Sequence, residues 1–164
     1  MAKVAIVMGS ISDLDVVKPA IDILKQFDID VECRVISAHR TPELAHDYAS
    51  KAMDNGIEVI ICAAGKAAHL GGVFASFTPL PVIGLPVKSS TMDGLDSLLS
   101  MVQMPSGVPV ATVAINGSLN AGLLAVQILA IKYPKLMVKL QDYKNNLAKK
   151  INEDDLKLQK ELNK

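Results

Sequence analysis

The chain has no tryptophan, only three tyrosines and three phenylalanines, and no formal net charge over its 164 residues. Its core must therefore consist of aliphatic side chains and methionine. A flavin carrier usually stacks its ring on aromatic side chains, so their scarcity argues against that class. The equal numbers of basic and acidic residues, 17 of each, imply no strongly basic surface, and nucleic acid is not an expected partner.

Cysteines and long apolar runs are also scarce. The two cysteines, Cys33 and Cys62, are far apart in strand-like runs, so we expect buried, reduced thiols rather than a disulfide or a metal site. No apolar run reaches the ~18 residues of a membrane span, and the beginning of the chain has no targeting pattern. These features predict a cytoplasmic protein with no membrane partner.

Hydrophobic residues nevertheless make up 50% of the chain, and its mean hydropathy is +0.31. A fully buried parallel sheet would account for part of this excess. The other apolar residues would give more apolar surface than a single small domain easily buries, so the composition favours oligomerisation.

Strand-like runs alternate with helical patterns, which is typical of βαβ units and a mainly parallel sheet. The predicted strands cover residues 3–8, 31–36, 57–62, 81–84 and 108–114, and the predicted helices cover residues 13–27, 42–55, 93–103 and 120–131, with a further helix ending near residue 77. The strands look apolar on both faces, so helices should cover both. The predicted fold class is therefore α/β, a three-layer α/β/α domain with about five parallel strands.

We expect this domain to span residues 1–133 and a helical tail to follow over residues 134–164. The tail carries a loose stripe of leucines among many charged residues. This pattern fits a partly solvated terminal helix and an arm that packs on a neighbouring subunit equally well.

The segment 37–42, Ser-Ala-His-Arg-Thr-Pro, places an acid–base side chain beside a fixed cation. Thr41 is a favourable N-cap and Pro42 suits the first helical position, so His39 and Arg40 lie in a loop after a strand. In open α/β sheets ligands bind at that edge. Histidine can move a proton near neutral pH and arginine grips anions, which points to an enzyme acting on a small phosphorylated substrate.

Two other turns place polar groups at the same edge. The first strand is followed by Ser10, Ser12 and Asp13, and hydroxyls with free backbone N–H groups at a helix start form a natural anion site. Ser12 or Asp13 fits a helix cap as well as a ligand contact. The third strand ends in a turn of small residues before His69, which fits either substrate orientation or capping and packing. His46 is expected on an exposed helix surface.

The motifs that are absent narrow the chemistry further. The sequence contains neither a dinucleotide nor an NTP phosphate loop, no metal-ligand spacing and no serine nucleophile elbow. The pattern therefore indicates acid–base catalysis by positioned side chains, with no metal.

Several segments together resemble the phosphoribosylaminoimidazole carboxylase family, and within it the class I members, which are N5-carboxyaminoimidazole ribonucleotide mutases. The matching segments, in the family's order, are 4–10, 12–13, 37–42, 67–70, 103–105, 107–110 and 120–125. The resemblance implies a flavodoxin-like fold, a homo-octamer and an isomerase of de novo purine biosynthesis that uses no cofactor. Its reaction would move a carboxylate from the exocyclic amine nitrogen of the imidazole to ring carbon C4.

The resemblance also implies a role for each site residue. Ser10, Ser12 and Arg40 would hold the 5′-phosphate, Asp13 the ribose hydroxyls, and His39 would be the general acid–base. The walls of the pocket for CO2 and the imidazole would be Ser37, Ala38, Gly65, Ala67, His69 and Leu70.

The main alternative is direct carboxylation of aminoimidazole ribonucleotide with CO2, a reaction of related proteins that differ in the loop after His39. A receiver domain would need an acidic cluster where this chain has Met8-Gly9-Ser10, and a purely structural oligomer leaves the convergence of polar groups unexplained. The chain departs from the mutase pattern at Lys66, where a small residue is usual, and at Gly71, where proline is usual. Lys66 would contact the substrate carboxylate or point to solvent, and Gly71 would loosen the turn.

Overall fold

A computed structural model describes residues 1–163, which form a five-stranded parallel sheet and six α-helices. The strands are β1 (Lys3–Met8), β2 (Asp30–Val35), β3 (Val59–Gly65), β4 (Val82–Val87) and β5 (Ala111–Thr112). Their order in the sheet is β2-β1-β3-β4-β5, and every neighbouring pair is parallel. The predicted α/β class and parallel sheet are confirmed.

The helices are α1 (Leu14–Gln26), α2 (Pro42–Lys51), α3 (Leu70–Phe77), α4 (Leu95–Val102), α5 (Ser118–Ala130) and α6 (Pro134–Leu162). Short 3₁₀ turns precede α1 and α4. One apolar core, shared with α1, α5 and the start of α6, covers one face of the sheet, and a second core, which includes α2 and α3, covers the other. Alternate residues of β1 point into opposite cores, as the two-residue period of a strand requires.

α5 packs closely against α1, the helix that follows the loop after β1. A Cβ at Gly122 would lie 2.4 Å from the Ile23 side chain, so only glycine permits this approach. Pro19 interrupts the hydrogen bonding of α1. Next to Pro19, the Ser118 hydroxyl accepts from the Ala20 N–H (3.0 Å) and donates to the Val17 carbonyl oxygen (3.2 Å), which joins the start of α5 to α1.

The prediction that all strands are covered on both faces is wrong for β2, which is an edge strand with largely exposed side chains. Cys33, on this strand, is exposed, so its predicted burial is also wrong, whereas Cys62 on the central strand β3 is fully buried. Burial raises the pKa of the Cys62 thiol above its ordinary value.

Three element boundaries differ from the predicted ones for local reasons. β4 continues through Pro86 to Val87. Proline cannot donate a hydrogen bond to a neighbouring strand, but β5 pairs only with Ile83 and Gly84, so no strand partner is needed at Pro86 on that side. β5 is short, since the predicted strand contains Pro109. α2 ends at Lys51 rather than at the predicted residue 55, and Gly56 lies beyond it in a turn with φ +77°.

The helical tail is one continuous helix, α6, of 29 residues. Only its beginning is anchored, by Leu136 and Leu140 in the core shared with α1 and α5. The apolar residues farther along α6 are exposed. Within residues 1–163, no helix combines the length and apolar character needed to cross a membrane.

Candidate active site

A cavity of about 600 Å³ opens at the carboxyl edge of the sheet, where the loops after β1, β2, β3 and β4 meet. All of the sequence-predicted site residues line it, namely Ser10, Ser12, Asp13, Ser37, Ala38, His39, Arg40, Gly65, Ala67, His69 and Leu70. His46, by contrast, is exposed on α2, as expected, with its ring against Phe77. In the described part of the chain, no group of His, Cys, Asp and Glu side chains converges in a way that could hold a metal ion.

The loop after β1 is organised by the Ser10 side chain. Ser10 Oγ accepts hydrogen bonds from the Ser12 N–H (3.3 Å) and the Ser12 hydroxyl (2.9 Å), so Ser10 caps the short 3₁₀ turn that leads into α1. The Asp13 carboxylate makes no capping hydrogen bond. Partial burial raises the pKa of Asp13 above its ordinary value, and this effect outweighs the opposing hydrogen bonding of Ser10 and Ser12. A carboxylate held in this way is available to accept from ligand hydroxyls.

The loop after β2 holds Arg40 in place before any ligand is present. Ser37 Oγ accepts from the Arg40 backbone N–H (3.2 Å) and from Arg40 Nε (3.4 Å). Arg40 Nη2 donates to the Gly9 carbonyl oxygen (3.1 Å), which joins this loop to the one after β1. A guanidinium positioned in this way loses little further freedom when it binds an anion.

Thr41 occupies the N-cap position of α2, but its side chain does not cap the helix, contrary to the prediction. Its hydroxyl instead accepts from the Ser37 N–H (3.1 Å) and donates to the Ser37 carbonyl oxygen (2.9 Å). The consequence is a closed loop, within which His39 and Arg40 are presented to the cavity.

His39 and His69 form a direct side-chain pair across the cavity. His39 Nε2 lies 3.0 Å from His69 Nδ1, and the two rings meet edge to face with their centroids 5.1 Å apart. One nitrogen must donate and the other accept, so the pair carries at most one positive charge while the hydrogen bond persists. Sequence patterns did not predict this pairing, since the two histidines are 30 residues apart.

The turn after β3 brings backbone close to the cavity. A Cβ at Gly65 would lie 3.3 Å from the Val87 carbonyl oxygen, a tight approach that favours glycine. Lys66 follows with φ +57°, in the left-handed region where a non-glycine residue is strained. His69 precedes α3 without a capping side-chain bond, which leaves its ring free to pair with His39.

The loop after β4 contributes residues that the sequence analysis missed. Lys88 and Ser89 line the cavity, and Lys88 Nζ lies 3.1 Å from Asp93 Oδ1. The backbone N–H of Lys88 donates to Asn116 Oδ1 (2.8 Å), which fixes where the loop departs from the sheet. The available signal was the polar run Lys88-Ser89-Ser90 directly after an apolar strand. It was overlooked because the predicted strand ended at Gly84.

The charges around the cavity favour an anionic ligand. Arg40, Lys66 and Lys88 supply three cationic side chains, and Asp13 supplies one carboxylate. The hydroxyls of Ser10, Ser12 and Ser37 add neutral hydrogen-bonding groups at the same edge. The arrangement can hold a phosphorylated small molecule against a pair of histidines.

A family model described as AIR carboxylase matches residues 3–150 of this chain. The chain belongs to the AIR carboxylase family. It is 56% identical over 159 residues to the N5-carboxyaminoimidazole ribonucleotide mutase of Thermotoga maritima, a match covering 97% of this chain and 93% of that protein. It is also 53% identical over 154 residues to the chloroplastic phosphoribosylaminoimidazole carboxylase of Vigna aconitifolia, a match covering 94% of this chain and 28% of that protein.

The fold of this AIR carboxylase family member is likewise shared with a solved relative. The crystal structure of Treponema denticola PurE superimposes with a TM-score of 0.88 at 31% identity, covering 96% of this chain and 99% of that one. The family resemblance carried by the sequence motifs is therefore confirmed.

Proposed function

We propose that this chain is an N5-carboxyaminoimidazole ribonucleotide mutase, an isomerase of purine biosynthesis that forms 4-carboxyaminoimidazole ribonucleotide. The observation that carries the proposal is a single cavity in which a histidine pair lies beside preorganised anion-binding groups. Relatives that bear this name match almost the whole chain at 56–58% identity. Family membership supplies the chemistry, and the cavity supplies the groups that would perform it.

The substrate's 5′-phosphate would lie at the loops after β1 and β2. Ser10, Ser12 and Arg40 present hydroxyls and a guanidinium there, and Arg40 is already held by Ser37 and Gly9. Asp13, beside them, would accept hydrogen bonds from the ribose hydroxyls. The imidazole would then point toward His39 and His69.

In the proposed reaction, the C–N bond of the N-carboxylate breaks and its electron pair stays on nitrogen, where His39 delivers a proton. The released CO2 is attacked by ring carbon C4, which forms the new C–C bond. The proton displaced from C4 then returns to His39, so the enzyme is regenerated and the net change is an isomerisation. Proton transfer by a positioned group typically contributes 10²–10⁴-fold to the rate.

Retention of CO2 is the second requirement. Ser37, Ala38, Gly65, Ala67 and Leu70 line the cavity with small or apolar surfaces. A neutral gas held against C4 gains the advantage of proximity, which is worth roughly 7–11 kcal/mol in well-oriented reactions.

Direct carboxylation of aminoimidazole ribonucleotide is the second candidate. It is favoured by one observation, the carboxylase name of the Vigna aconitifolia relative, which this chain matches at 53% identity. The two reactions share the ribonucleotide and the attack of C4 on CO2, and they differ only in the source of the CO2.

The proposal extends to the protein's surroundings. We expect a homo-octamer that binds a small-molecule ribonucleotide, uses no cofactor and no nucleic acid, and acts in the cytoplasm. The exposed apolar residues of α4 and α6 support self-association.

The test is turnover of N5-carboxyaminoimidazole ribonucleotide by the wild-type protein and by His39→Asn. Asparagine retains a polar side chain but cannot shuttle the proton, so we expect nucleotide binding to persist while turnover falls at least 10²–10⁴-fold. His46→Asn is the matched control, because His46 lies outside the cavity, and it should keep wild-type turnover. Full activity in His39→Asn would contradict the proposed acid–base role.

A further inference from the structure

Lys66 follows β3, whereas the residues proposed to bind phosphate follow β1 and β2. Gly65 on β3 pairs with Val87 on β4, so Lys66 and Lys88 directly follow adjacent positions of neighbouring strands. Ser10 and Arg40, in contrast, follow β1 and β2. The cavity therefore has cationic groups at two places along the sheet edge, as a ligand with two separate anionic groups would require.

The two lysines differ in how far their charges are already compensated. Lys88 Nζ is paired with Asp93 Oδ1 at 3.1 Å. The ammonium of Lys66 has no ion-pair or hydrogen-bond partner among residues 1–163, although Lys66 lines the cavity. Its backbone also occupies the left-handed region, which disfavours any residue with a Cβ. Lys66 thus adds to the cavity a positive charge that no carboxylate neutralises. It does so at a backbone conformation that glycine would adopt with less strain.

The turn that carries Lys66 also carries His69, which contacts His39 at 3.0 Å. An anionic group bound by Lys66 would therefore lie near the His39–His69 pair. Of the two anionic groups of the proposed substrate, the carboxylate is the one that must lie near His39.

We propose that the Lys66 ammonium binds the carboxylate of the carboxylated nucleotide and makes the cavity select carboxylated over uncarboxylated aminoimidazole ribonucleotide. This inference rests on the proposed function, because it takes its ligand from that reaction. Substrate and product both carry the carboxylate, whereas the released CO2 is neutral. Lys66 therefore stabilises both ground states and acts on affinity more than on the chemical step.

The test compares wild-type protein with Lys66→Gln by titration calorimetry, with 4-carboxyaminoimidazole ribonucleotide and aminoimidazole ribonucleotide as separate ligands. Glutamine removes the charge but keeps a Cβ at the same backbone angles, so backbone strain is matched. We expect affinity for the carboxylated nucleotide to fall on the order of tenfold and affinity for the other to change less than about twofold. Lys18→Gln, exposed on α1 outside the cavity, should change neither affinity.

Lys66→Gly serves as the second variant, since it removes the charge and relieves the backbone at once. It should lose the same selectivity as Lys66→Gln. Equal losses for both nucleotides, or no loss for the carboxylated one, would overturn the inference. The proposed function is tested separately, by turnover of the wild-type protein. If the wild-type protein showed no turnover but still preferred the carboxylated nucleotide, and lost that preference in Lys66→Gln, the result would contradict the proposed function and support the role of Lys66.

Discussion

At the scale of single residues, the proposed site presents side chains that neighbouring loops already hold in place. Arg40 is fixed by Gly9 and Ser37, and His39 is fixed by His69. Such preorganisation lowers the entropy cost of binding. Asp13 differs, because its carboxylate is partly buried without a compensating cation and its pKa is raised.

Asp13→Asn should separate stability from function. The pKa of Asp13 is higher in the folded protein than in the unfolded chain. The free energy of unfolding therefore falls as pH rises from the unfolded pKa to the folded pKa, and it stays lowered at neutral pH. We expect the thermal midpoint of the empty variant at pH 7 to equal or exceed that of wild type by up to about 2 °C, with the difference vanishing at acid pH. Nucleotide affinity should fall about tenfold.

Asp22→Asn, exposed on α1 away from the cavity, is the control and should change neither quantity. An Asp13→Asn protein that melts lower than wild type at pH 7, or that binds nucleotide with unchanged affinity, would contradict this account.

Local patterns in the sequence place single groups at the edge of the sheet, but they do not extend to contacts between loops. Ser10, Asp13, His39 and Arg40 were proposed because each follows a strand and precedes a helix, and all four line one cavity. The His39–His69 pair and the Arg40–Gly9 hydrogen bond join different loops, and their geometry depends on the order of the strands in the sheet. No spacing within one segment encodes that order.

At the scale of elements, Glu32 connects the edge strand to its neighbours. Its carboxylate accepts from the Tyr48 hydroxyl of α2 (2.9 Å) and pairs with Lys3 Nζ of β1 (2.7 Å). The hydrogen bond from Lys3 is the main cause that holds the pKa of Glu32 below its ordinary value. These contacts help to keep β2, and with it the loop that carries His39, against the sheet.

Glu32→Gln should therefore reduce the free energy of unfolding by about 1 kcal/mol at pH 7. Since the folded pKa of Glu32 is lowered, the stabilisation is present above the unfolded pKa and is lost as pH falls through the folded pKa. Urea denaturation at pH 7 and at pH 3 measures this, and the difference between variant and wild type should shrink at pH 3. A difference of the same size at both values would contradict the charged role of Glu32.

Glu153→Gln, on the exposed part of α6, is the control for this measurement. We expect its stability to stay within about 0.5 kcal/mol of wild type.

The elements themselves could be predicted where apolar periodicity is strong, as for β1, whose bounds match those expected. The errors fall where tertiary context decides. β2 was predicted as a buried strand but lies at the edge, and β4 continues to Val87, past its predicted end at Gly84. Whether a strand is central or at the edge depends on pairing along the whole sheet, which local composition does not contain.

At the scale of the whole molecule, apolar surface remains exposed on the single chain. On α6, Leu140 packs in the core, while Leu147, Ile151 and Leu158 continue along the helix with exposed side chains. α4 likewise exposes Leu95, Leu99 and Val102. Surface of this kind is typical of association between subunits.

We expect light scattering after size-exclusion chromatography to give eight times the 17.5 kDa chain mass. Ile151→Lys should lower that mass if α6 is an arm that packs on a neighbour, whereas Lys150→Gln on the same helix should not. A wild-type protein that stays monomeric at micromolar concentration would contradict the predicted assembly. If Ile151→Lys still forms an octamer, α6 is a solvated helix and not an arm that packs on a neighbour.

The most direct measurement for the central claim is a comparison of two substrates with purified wild-type protein. N5-carboxyaminoimidazole ribonucleotide is supplied in one reaction, and aminoimidazole ribonucleotide with modest bicarbonate in the other, and formation of the C4-carboxylated product is followed in both. We expect rapid product formation from the first substrate and little from the second. Preference for the second would identify a direct carboxylase and contradict the mutase assignment.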